Sequence, residues 1–548
     1  MRPRTRSFLW TAAVVAALFL VANGDSHAAQ GLTERVSVDS AGNEANSYSS
    51  DPSISDDGRL IAFSSSADNL VTGDANRFCD RNSDNVFADD CGDVFVHDRV
   101  TGDTSLISVN SAGLQANKDS SHPSVSGDGR FIVFESNASN LVSGDIDCPD
   151  ISVVSLASVP GRGCPDVFLR DRVSGITEQV SVNSAGEPAD GDSVLPSVSD
   201  DGRFVAFASS NSSNLAPGAP SGVFVRDRQT SSTRFIANGG FPEISGDGRF
   251  VAFQSDTTDL VPDDTNDATD IFVYDMQTAQ MERVSVDSSG DQATNADPLL
   301  GGWLASSFFP AISSDGRYVA FSSNASDLVA DDANSMADIF VHNRETGQTV
   351  RVSVDGTGHE PDGSSYGTPS ISGDGRFVAF HSFASNLVPD DTNACGFPDP
   401  RNCADVFVHD LQTGVTYITS LSSEGIHGNQ DTTQPSISSD GQSVAFSSFA
   451  SNLVTGDTAT CLPPPHPTSC QDIFVREGLS TPAPPTSSAT PVVIPTSPLS
   501  PAALPQTGGT VDHGDRPVLP AAATLGILLL SGLGLQLAKA RLRGKRRA

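Results

Sequence analysis

A phrase of twelve residues, PSISGDGRFVAF at 369–380, recurs in seven recognisable copies along the chain. Every copy carries an Asp-Gly pair, and successive pairs lie 46 residues (201 to 247) to 73 residues (128 to 201) apart. A chain that repeats one short sequence at such a period folds into an array of equivalent units, because each copy favours the same local structure. The seven pairs are Asp57-Gly58, Asp128-Gly129, Asp201-Gly202, Asp247-Gly248, Asp315-Gly316, Asp374-Gly375 and Asp440-Gly441.

Each unit contains the pattern of four short strands. In the fifth unit, PAIS at 310–313 precedes the Asp-Gly turn and RYVAF at 317–321 follows it, which is typical of a tight β-hairpin. A polar loop then leads to DIFVHN at 338–343, and a short turn leads to TVRVSVD at 349–355. Four strands per repeated unit are typical of the blades of a β-propeller.

The seventh unit predicts how the ring closes. It stops after DIFVREGL at 472–479 and has no TxRVSV strand, whereas that strand is present near the N-terminus as TERVSVDSAG at 33–42. An N-terminal strand that completes the last blade leaves no half-built sheet with an unpaired edge. The sequence therefore predicts an all-β, seven-bladed β-propeller of four-stranded antiparallel blades over residues 29–479. A six- or eight-bladed ring is the alternative, and we expect a monomer.

The repeated phrase S-x-D-G-x-x-[IVL]-[AV]-F resembles the WD40-like repeats of the TolB family of bacterial propellers. The resemblance covers residues 33–477 and implies a propeller fold. TolB-like propellers often have six blades, whereas this chain carries seven units.

The first 28 residues have the order of a secretory signal peptide. MRPRTR supplies basic residues, SFLWTAAVVAALFLVA an apolar run, and DSHAAQ small residues at a cleavage point after Ala28. A first transmembrane helix is the alternative, although the apolar run is short for one. We therefore expect an exported protein.

The C-terminal region predicts how the protein is held at the cell surface. A Pro/Ser/Thr-rich segment at 480–503 favours an extended stalk. Residues 504–548 then contain LPQTG at 504–508, an apolar run at 518–537 long enough for a transmembrane helix, and a basic tail at 538–548. These three parts resemble the LPXTG cell-wall sorting signal of bacterial surface proteins.

That resemblance implies a sortase transpeptidase as a partner, which would cut Thr507–Gly508 and join the new carboxyl group to a cell-wall peptide. A simple membrane anchor is the alternative. The motif residues are Leu504, Pro505, Gln506, Thr507 and Gly508.

Charge restricts the classes of partner. The chain has 67 Asp plus Glu against 32 Lys plus Arg, a formal net charge of −35. So acidic a protein repels phosphate backbones, and we expect no nucleic-acid partner. Cations, basic proteins and neutral glycans remain candidates.

The eight cysteines fall in pairs within loops between the second and third strands of four units. Local pairing in an exported chain predicts four disulfides within those loops. Zinc ligation is the rival interpretation, but the C-x-x-C spacing it favours is absent. The pairs are Cys79 with Cys91, Cys148 with Cys164, Cys395 with Cys403, and Cys461 with Cys470.

Loops between the second and third strands also carry Asp and Asn at alternating positions. Oxygen ligands in this arrangement suit calcium, but Asp and Asn also cap turns through their own backbone. No loop matches a full EF-hand pattern, so both interpretations stay open, and no other cofactor is expected. The clearest candidates are Asp264, Asn266 and Asp270 in one unit and Asp332, Asn334 and Asp338 in the next; Asp391, Asn393 and Asp405, and Asp74, Asn76 and Asp93, follow the same pattern.

One aromatic insertion breaks the repeat. Trp303, Phe308 and Phe309 lie in NADPLLGGWLASSFF before the fifth unit, where they could bind a sugar ring or a peptide, or cover a core edge. Two histidines, His122 and His359, also break the symmetry. By contrast, His97, His342 and His409 occupy equivalent third-strand positions and are expected to be structural.

Two classes of function fit these features. The first is a non-enzymatic binding module displayed on the bacterial surface for an unknown protein or glycan ligand. The second is a secreted hydrolase or lyase acting on polysaccharide or peptide. The one Gly-x-Ser-x-Gly match, GSSYG at 363–367, lies in the link before a β-strand and not in the strand-to-helix turn that a nucleophile elbow needs. No catalytic constellation is evident either, so the sequence favours the binding module. Propeller folds host many functions, and fold alone does not decide.

Overall fold

A computed structural model describes residues 31–74, 91–144, 165–294, 305–391, 403–458 and 470–478, apart from positions 211, 213, 220 and 390. The described chain forms 28 strands. Those of blades 1 to 3 are β2 (Ser49–Ile54), β3 (Leu60–Ser65), β4 (Asp93–Asp98), β5 (Asp103–Leu106), β6 (Ser120–Val125), β7 (Phe131–Ser136), β8 (Asp166–Asp171), β9 (Ile176–Gln179), β10 (Asp192–Val198), β11 (Phe204–Ser210), β12 (Gly222–Asp227) and β13 (Ser232–Ala237).

Four further blades complete the set. Their strands are β14 (Gly240–Ile244), β15 (Phe250–Ser255), β16 (Asp270–Asp275), β17 (Met281–Arg283), β18 (Ser307–Ile312), β19 (Tyr318–Ser323), β20 (Asp338–Asn343), β21 (Gln348–Arg351), β22 (Ser370–Ile371), β23 (Phe377–Ser382), β24 (Asp405–Asp410), β25 (Val415–Ile418), β26 (Thr432–Ile437), β27 (Ser443–Ser448), β28 (Asp472–Glu477) and β1 (Thr33–Arg35).

The strands form seven separate four-stranded antiparallel sheets. Six sheets take four consecutive strands, and the seventh has the order β1-β28-β27-β26. The first strands of neighbouring blades contact one another, so they form the inner ring around a central channel. The predicted seven-bladed β-propeller is confirmed.

The N-terminal strand closes the ring. Thr33 pairs with Arg476 and Arg35 with Phe474, and the Val36 amide donates to the Ile473 carbonyl at 2.8 Å. Arg476 is 1% exposed, and one guanidinium nitrogen donates to Thr33 Oγ1 at 2.8 Å and to the Ser422 carbonyl at 2.9 Å. The first strand of the described chain is therefore the outermost strand of the last blade.

The core lies between neighbouring sheets, and phenylalanine pairs recur in it. In every blade, a second-strand phenylalanine stacks on a third-strand phenylalanine, with ring centroids 5.9–6.0 Å apart. Each buried cluster draws residues from adjacent blades; one joins Phe63 of blade 1 to Ile473 and Val475 of blade 7. Both faces of the middle strands are thus covered, which explains their almost wholly apolar sequence.

The Asp-Gly turns all lie on one face of the disc, here called the turn face. Their glycines have φ between +68° and +73°, a region that other residues rarely adopt. In five blades the arginine after the turn donates to the aspartate that ends the third strand, as Arg130 does to Asp171 at 2.7 Å. The links from second to third strand and from blade to blade emerge on the opposite face, called the loop face.

Several predicted segments lie outside the described residues. These are the signal peptide at 1–28, the stalk at 480–503, the sorting signal from Leu504 to Gly508 and the apolar run at 518–537. Within the described ranges, no helix is long and apolar enough to cross a membrane.

Candidate binding site at the channel mouth

The mouth of the channel on the loop face is built on an unusual backbone conformation. In six blades, the residue before the proline of the innermost strand has a left-handed φ of 49–54°. The strand bulges there and shifts its register, as between Ser50 and Ser53 in blade 1. Non-glycine residues with positive φ are uncommon, and six at equivalent positions indicate a maintained feature. These residues, with Gly367 of blade 6 (φ 95°), form the mouth ring: Asp51, His122, Leu195, Phe241, Phe309, Gly367 and Gln434.

One side of the mouth ring is polar. Gln434 Nε2 donates to Asp51 Oδ1 at 2.6 Å, which links blades 7 and 1. In blade 2, His122 Nδ1 lies 3.0 Å from Glu135 Oε1 on the neighbouring strand. The other oxygen of Glu135 accepts from the Leu195 amide of blade 3 at 2.9 Å. Blades 7, 1 and 2 therefore present charges and hydrogen-bonding groups.

The opposite side is apolar and aromatic. Phe241 and Phe309 meet edge to face with ring centroids 5.0 Å apart, and Phe308 lies 6.1 Å from Phe309. In blade 6, Tyr366 is 45% exposed and stacks on Phe383 at 5.8 Å. Blades 4 to 6 therefore line the mouth with aromatic surface, and such rings pack against sugar faces, aliphatic chains or cations.

Two buried polar atoms in the mouth wall have no hydrogen-bond partner among the residues that the structure describes. They are Ser64 Oγ in blade 1 and His381 Nδ1 in blade 6, on residues that are 7% and 8% exposed. Their second-strand position corresponds to that of Glu135 in blade 2 and Gln254 in blade 4. The side chains of those two residues reach mouth amides of the next blade, so this position faces the mouth. Unsatisfied buried polar groups are rare and destabilising.

The charge on His122 is set by its neighbours. Burial in the mouth alone would lower its pKa, but the negative charge of Glu135, their hydrogen bond and the charge of Asp51 together raise the pKa of His122 to about 9. Burial opposes ionisation of Glu135, but the charge and hydrogen bond of His122, with the hydrogen bonds from the Leu195 amide and Ser121, together lower the pKa of Glu135. At neutral pH the pair is an imidazolium with a carboxylate.

Below the mouth, serines form a belt around the channel. In five blades the second residue after the bulge is serine, and each of these serines accepts a hydrogen bond from a backbone amide of the next blade at 3.1–3.3 Å. The belt is interrupted in blades 4 and 5. Its seven members are Ser53, Ser124, Ser197, Glu243, Ala311, Ser370 and Ser436.

Glu243 is the ionisable member of the belt. Its side chain is exposed on the innermost strand β14, so it faces the channel. Oε2 accepts from Ser197 Oγ at 2.9 Å. Confinement in the channel raises the pKa of Glu243 to about 7, and the Ser197 hydrogen bond only partly offsets that effect.

Next to the turn face the innermost strands of neighbouring blades lie close together. The amide of Asp56 donates to the Gly127 carbonyl at 3.1 Å, and that of Asp200 to the Gly246 carbonyl at 3.0 Å. A Cβ atom on Gly127 would lie 2.2 Å from Asp56 Oδ2 and 3.0 Å from Asp200 Cβ. Burial and neighbouring aspartates raise the pKa of Asp200 to about 6. This constriction ring comprises Asp56, Gly127, Asp200, Gly246, Ser314, Gly373 and Ser439.

The sequence-predicted aromatic residues are only partly described. Phe308 and Phe309 begin strand β18 and lie in the mouth, whereas Trp303 falls outside the described residues. His122 also lies in the mouth. His359 does not: its exposed side chain bonds Asp355 at 2.9 Å within a turn. Glu135, Glu243 and His381 are site residues that the sequence pattern alone does not indicate.

In the two loops that are the clearest calcium candidates, an arginine at the end of the fourth strand of the same blade lies beside the carboxylates. Arg283 Nη1 lies 3.2 Å from Asp264 and 3.7 Å from Asp270. Likewise, Arg351 Nη1 lies 3.5 Å from Asp332 and 3.6 Å from Asp338.

The asparagines of these two loops cap turns. Asn266 Oδ1 accepts from the Ala268 amide at 3.1 Å, and Asn334 Oδ1 from the Met336 amide at 2.9 Å. A further acidic group, Glu44, Asp457 and Asp472, has carboxylate oxygens within 4.8 Å of one another, again beside an arginine, Arg35. Calcium binding stays a prediction.

The repeated histidines have a packing role in the structure. Nδ1 of His97, His342 and His409 lies 2.9 Å from a threonine hydroxyl on the next strand of the same blade. In turn, each threonine donates to a backbone carbonyl of the blade before it, as Thr104 does to Val38. Because the hydroxyl proton is committed, the histidine must donate from Nδ1.

The described cysteines lie at the ends of the predicted loops. Cys91, Cys403 and Cys470 are 1–4% exposed and none is a free thiol. Their proposed partners, and both members of the Cys148–Cys164 pair, lie outside the described residues. The four pairings therefore stay predictions.

No known family profile and no curated protein matches the chain. Among solved structures, it is similar to TolB from Acinetobacter baumannii (13% identity over 59% of this chain and 58% of that chain, TM-score 0.33). An oligogalacturonate lyase from Vibrio parahaemolyticus shows 13% identity over 79% and 90% of the two chains, with a TM-score of 0.42. The β-propeller domain of the Trilobed protease from Pyrococcus furiosus shows 10% identity over 79% and 98%, with a TM-score of 0.45. At these identities the likeness concerns the fold alone.

Proposed function

We propose that this protein is a non-enzymatic binding module of the bacterial cell surface, with the channel mouth as its ligand site. The observation that carries the proposal is the mouth ring. Six equivalent positions keep a strained left-handed backbone, yet their side chains differ from blade to blade. A purely structural repeat position would be expected to hold one residue type, as the stacked phenylalanines do.

The chemistry of the mouth supports binding over catalysis. Ser121 Oγ and Glu135 Oε1 both approach the same atom, Nδ1 of His122, at 3.3 and 3.0 Å. A hydrolytic triad instead needs the nucleophile and the acid on opposite ring nitrogens. With a pKa of about 9, His122 is protonated at neutral pH and cannot act as a general base there.

Display at the surface is the second part of the proposal. The signal peptide at 1–28 and the sorting signal at 504–548 supply export and attachment, with a sortase and the cell-wall peptide as partners. A Thr507→Ala substitution removes the side chain of the predicted acyl-donor residue and so breaks the LPXTG motif. We expect the variant to shift from the wall fraction to the membrane fraction on immunoblots, with Thr510→Ala behaving like wild type. Unchanged covalent wall attachment of the Thr507 variant would refute the sortase mechanism.

The binding proposal is tested with the ectodomain, here residues 29–479, because every strand of the closed ring lies between residues 33 and 477. The purified protein is applied to arrays of glycans and peptides. Reducing ends and new amino groups are measured on the corresponding polysaccharides and peptides. We expect retention on a subset of ligands without product release.

Variants localise the site. Phe309→Ala removes one aromatic side chain from the mouth without requiring a new backbone conformation. We expect this variant to lower retention about tenfold or more. Ile426→Ala removes an apolar side chain, 56% exposed, outside the mouth and should leave retention unchanged. Product release above that of heat-inactivated protein would favour the hydrolase or lyase alternative. If the Phe309→Ala variant is retained as well as the Ile426→Ala variant, the ligand binds outside the mouth.

A further inference from the structure

The charge inside the channel has one sign. The serine belt and the constriction ring together have fourteen members, all described, and they include Glu243, Asp56 and Asp200 but no lysine, arginine or histidine. The protein around the channel removes all three carboxyl groups from bulk water, which disfavours their charged forms. A cation placed in the channel would relieve that cost, because an opposite charge nearby favours the ionised carboxylate.

We propose that the ligand inserts a cationic side chain of a basic polypeptide, carried on an aliphatic stem, through the mouth into the channel, with the Glu243 carboxylate as its counter-ion. This inference rests on the proposed function and names the ligand class for the same site.

The aromatic half of the mouth suits the stem of such a side chain. Phe241, Phe309 and Tyr366 offer ring surface to methylene groups, and ring faces attract a cation that passes them. Farther in, the belt offers serine hydroxyl oxygens beside Glu243, the nearest being Ser197 Oγ. Lysine and arginine side chains have the required order of groups, an apolar stem and a charged end.

The mouth wall also has unused hydrogen-bonding capacity. Within the described part of the chain, Ser64 Oγ and His381 Nδ1 are buried without a hydrogen-bond partner, and their strand position faces the mouth. Burial lowers the pKa of His381 to about 4, so its imidazole is neutral and does not repel a cation. These atoms match the backbone amide and carbonyl groups that a polypeptide presents at the base of an inserted side chain.

Long-range electrostatics favour the same partner class. The chain carries a formal net charge of −35, which attracts basic polypeptides and accelerates their association. His122 does not oppose this attraction, since its charge is matched by Glu135 at 3.0 Å.

The test compares small probes that share an aliphatic side-chain stem and differ in whether that stem ends in a cationic group. Nα-acetyl-lysine N-methylamide, the arginine equivalent and the neutral Nα-acetyl-norleucine N-methylamide are titrated into the ectodomain by NMR at low salt. We expect at least one cationic probe to bind about tenfold or more tightly than norleucine. Glu243→Gln should reduce that probe to the level of norleucine, and Glu187→Gln, which changes an exposed acid in an outer turn, should not alter its affinity.

A second variant protects the test against a folding defect. Glu243→Ser installs the residue that five other blades carry at this belt position, so it should preserve the fold while also losing the preference for the cation. Equal affinity for charged and neutral probes would overturn the inference, and so would cation binding that survives both Glu243 variants. Binding that requires a divalent metal ion and is lost with chelator would assign the channel to a metal instead. In each of these cases, retention that depends on Phe309 would still support the mouth as the ligand site.

Discussion

Deleting residues 29–36 is expected to lower the free energy of unfolding by roughly 5 kcal/mol or more, a larger loss than we expect from any single substitution discussed above. The deletion removes strand β1 and Val36, which is fully buried in the cluster shared by blades 7 and 1. Burial of one such side chain contributes about 2 kcal/mol, and each lost backbone hydrogen bond about 1 kcal/mol. The removal also strips Arg476 of its Thr33 partner and leaves β28 as an open edge.

Equilibrium unfolding in guanidinium chloride, followed by circular dichroism, measures the loss. A matched control appends residues 29–38 after Gly478 through a flexible linker in the deleted protein, which returns the strand to the same sheet from the other end of the chain. That variant should recover most of the stability. A deletion that leaves the unfolding midpoint unchanged would show that the strand is not part of blade 7.

Replacing Glu135 with glutamine is expected to lower the pKa of His122 from about 9 to its usual value near 6.5 or below, a change of two pH units or more. The carboxylate supplies the charge and the hydrogen bond that outweigh burial, and burial alone lowers a histidine pKa. Glutamine keeps an oxygen that can accept from the Leu195 amide, just as Gln254 of blade 4 accepts from the Phe309 amide of blade 5. Histidine ring titration by NMR, assigned with a His122→Gln variant, measures the shift.

The same pair makes stability depend on pH. Because the pKa of His122 is raised in the folded state, its stabilising contribution is complete below pH 6.5 and is lost as the pH rises from 6.5 to about 9. The side chain is 42% exposed, so solvent screening limits this contribution to about 1–2 kcal/mol. The Glu135→Gln protein should lack that loss between pH 6.5 and 9, whereas Glu187→Gln should retain it. A His122 that still titrates near pH 9 without Glu135 would contradict the assignment.

The fold could be predicted because its determinants are local and repeated. Asp-Gly turns, apolar middle strands and a third-strand segment of the type [DG]-[IV]-F-[VL] recur in every unit, and each copy predicts the same structure. The ends of the repeat region are complementary: TERVSV at 33–38 supplies the strand that is missing after DIFVRE at 472–477, which predicts closure of the ring. The pairing of Thr33 with Arg476 confirms it.

The mouth could be predicted only in part, because it depends on differences between copies. The sequence indicated Phe308 and Phe309 because they belong to an aromatic insertion. It indicated His122 because that residue breaks the symmetry of the repeat. Glu135 stands where other blades carry serine, alanine, glutamine or histidine, so its pairing with His122 depends on how two strands bring the side chains together. Glu243 similarly replaces a belt serine, and its role follows from the ring of seven inner strands.

Native-state hydrogen exchange at the N-terminal strand tests the closed ring, and with it the channel and its mouth, most directly. The Val36 amide donates to Ile473 inside blade 7. We therefore predict that a peptide covering residues 33–36 exchanges as slowly as one covering 472–477, with both limited by global unfolding. Exchange of the N-terminal peptide at the rate of a free chain end, while 472–477 stays protected, would contradict the closed propeller.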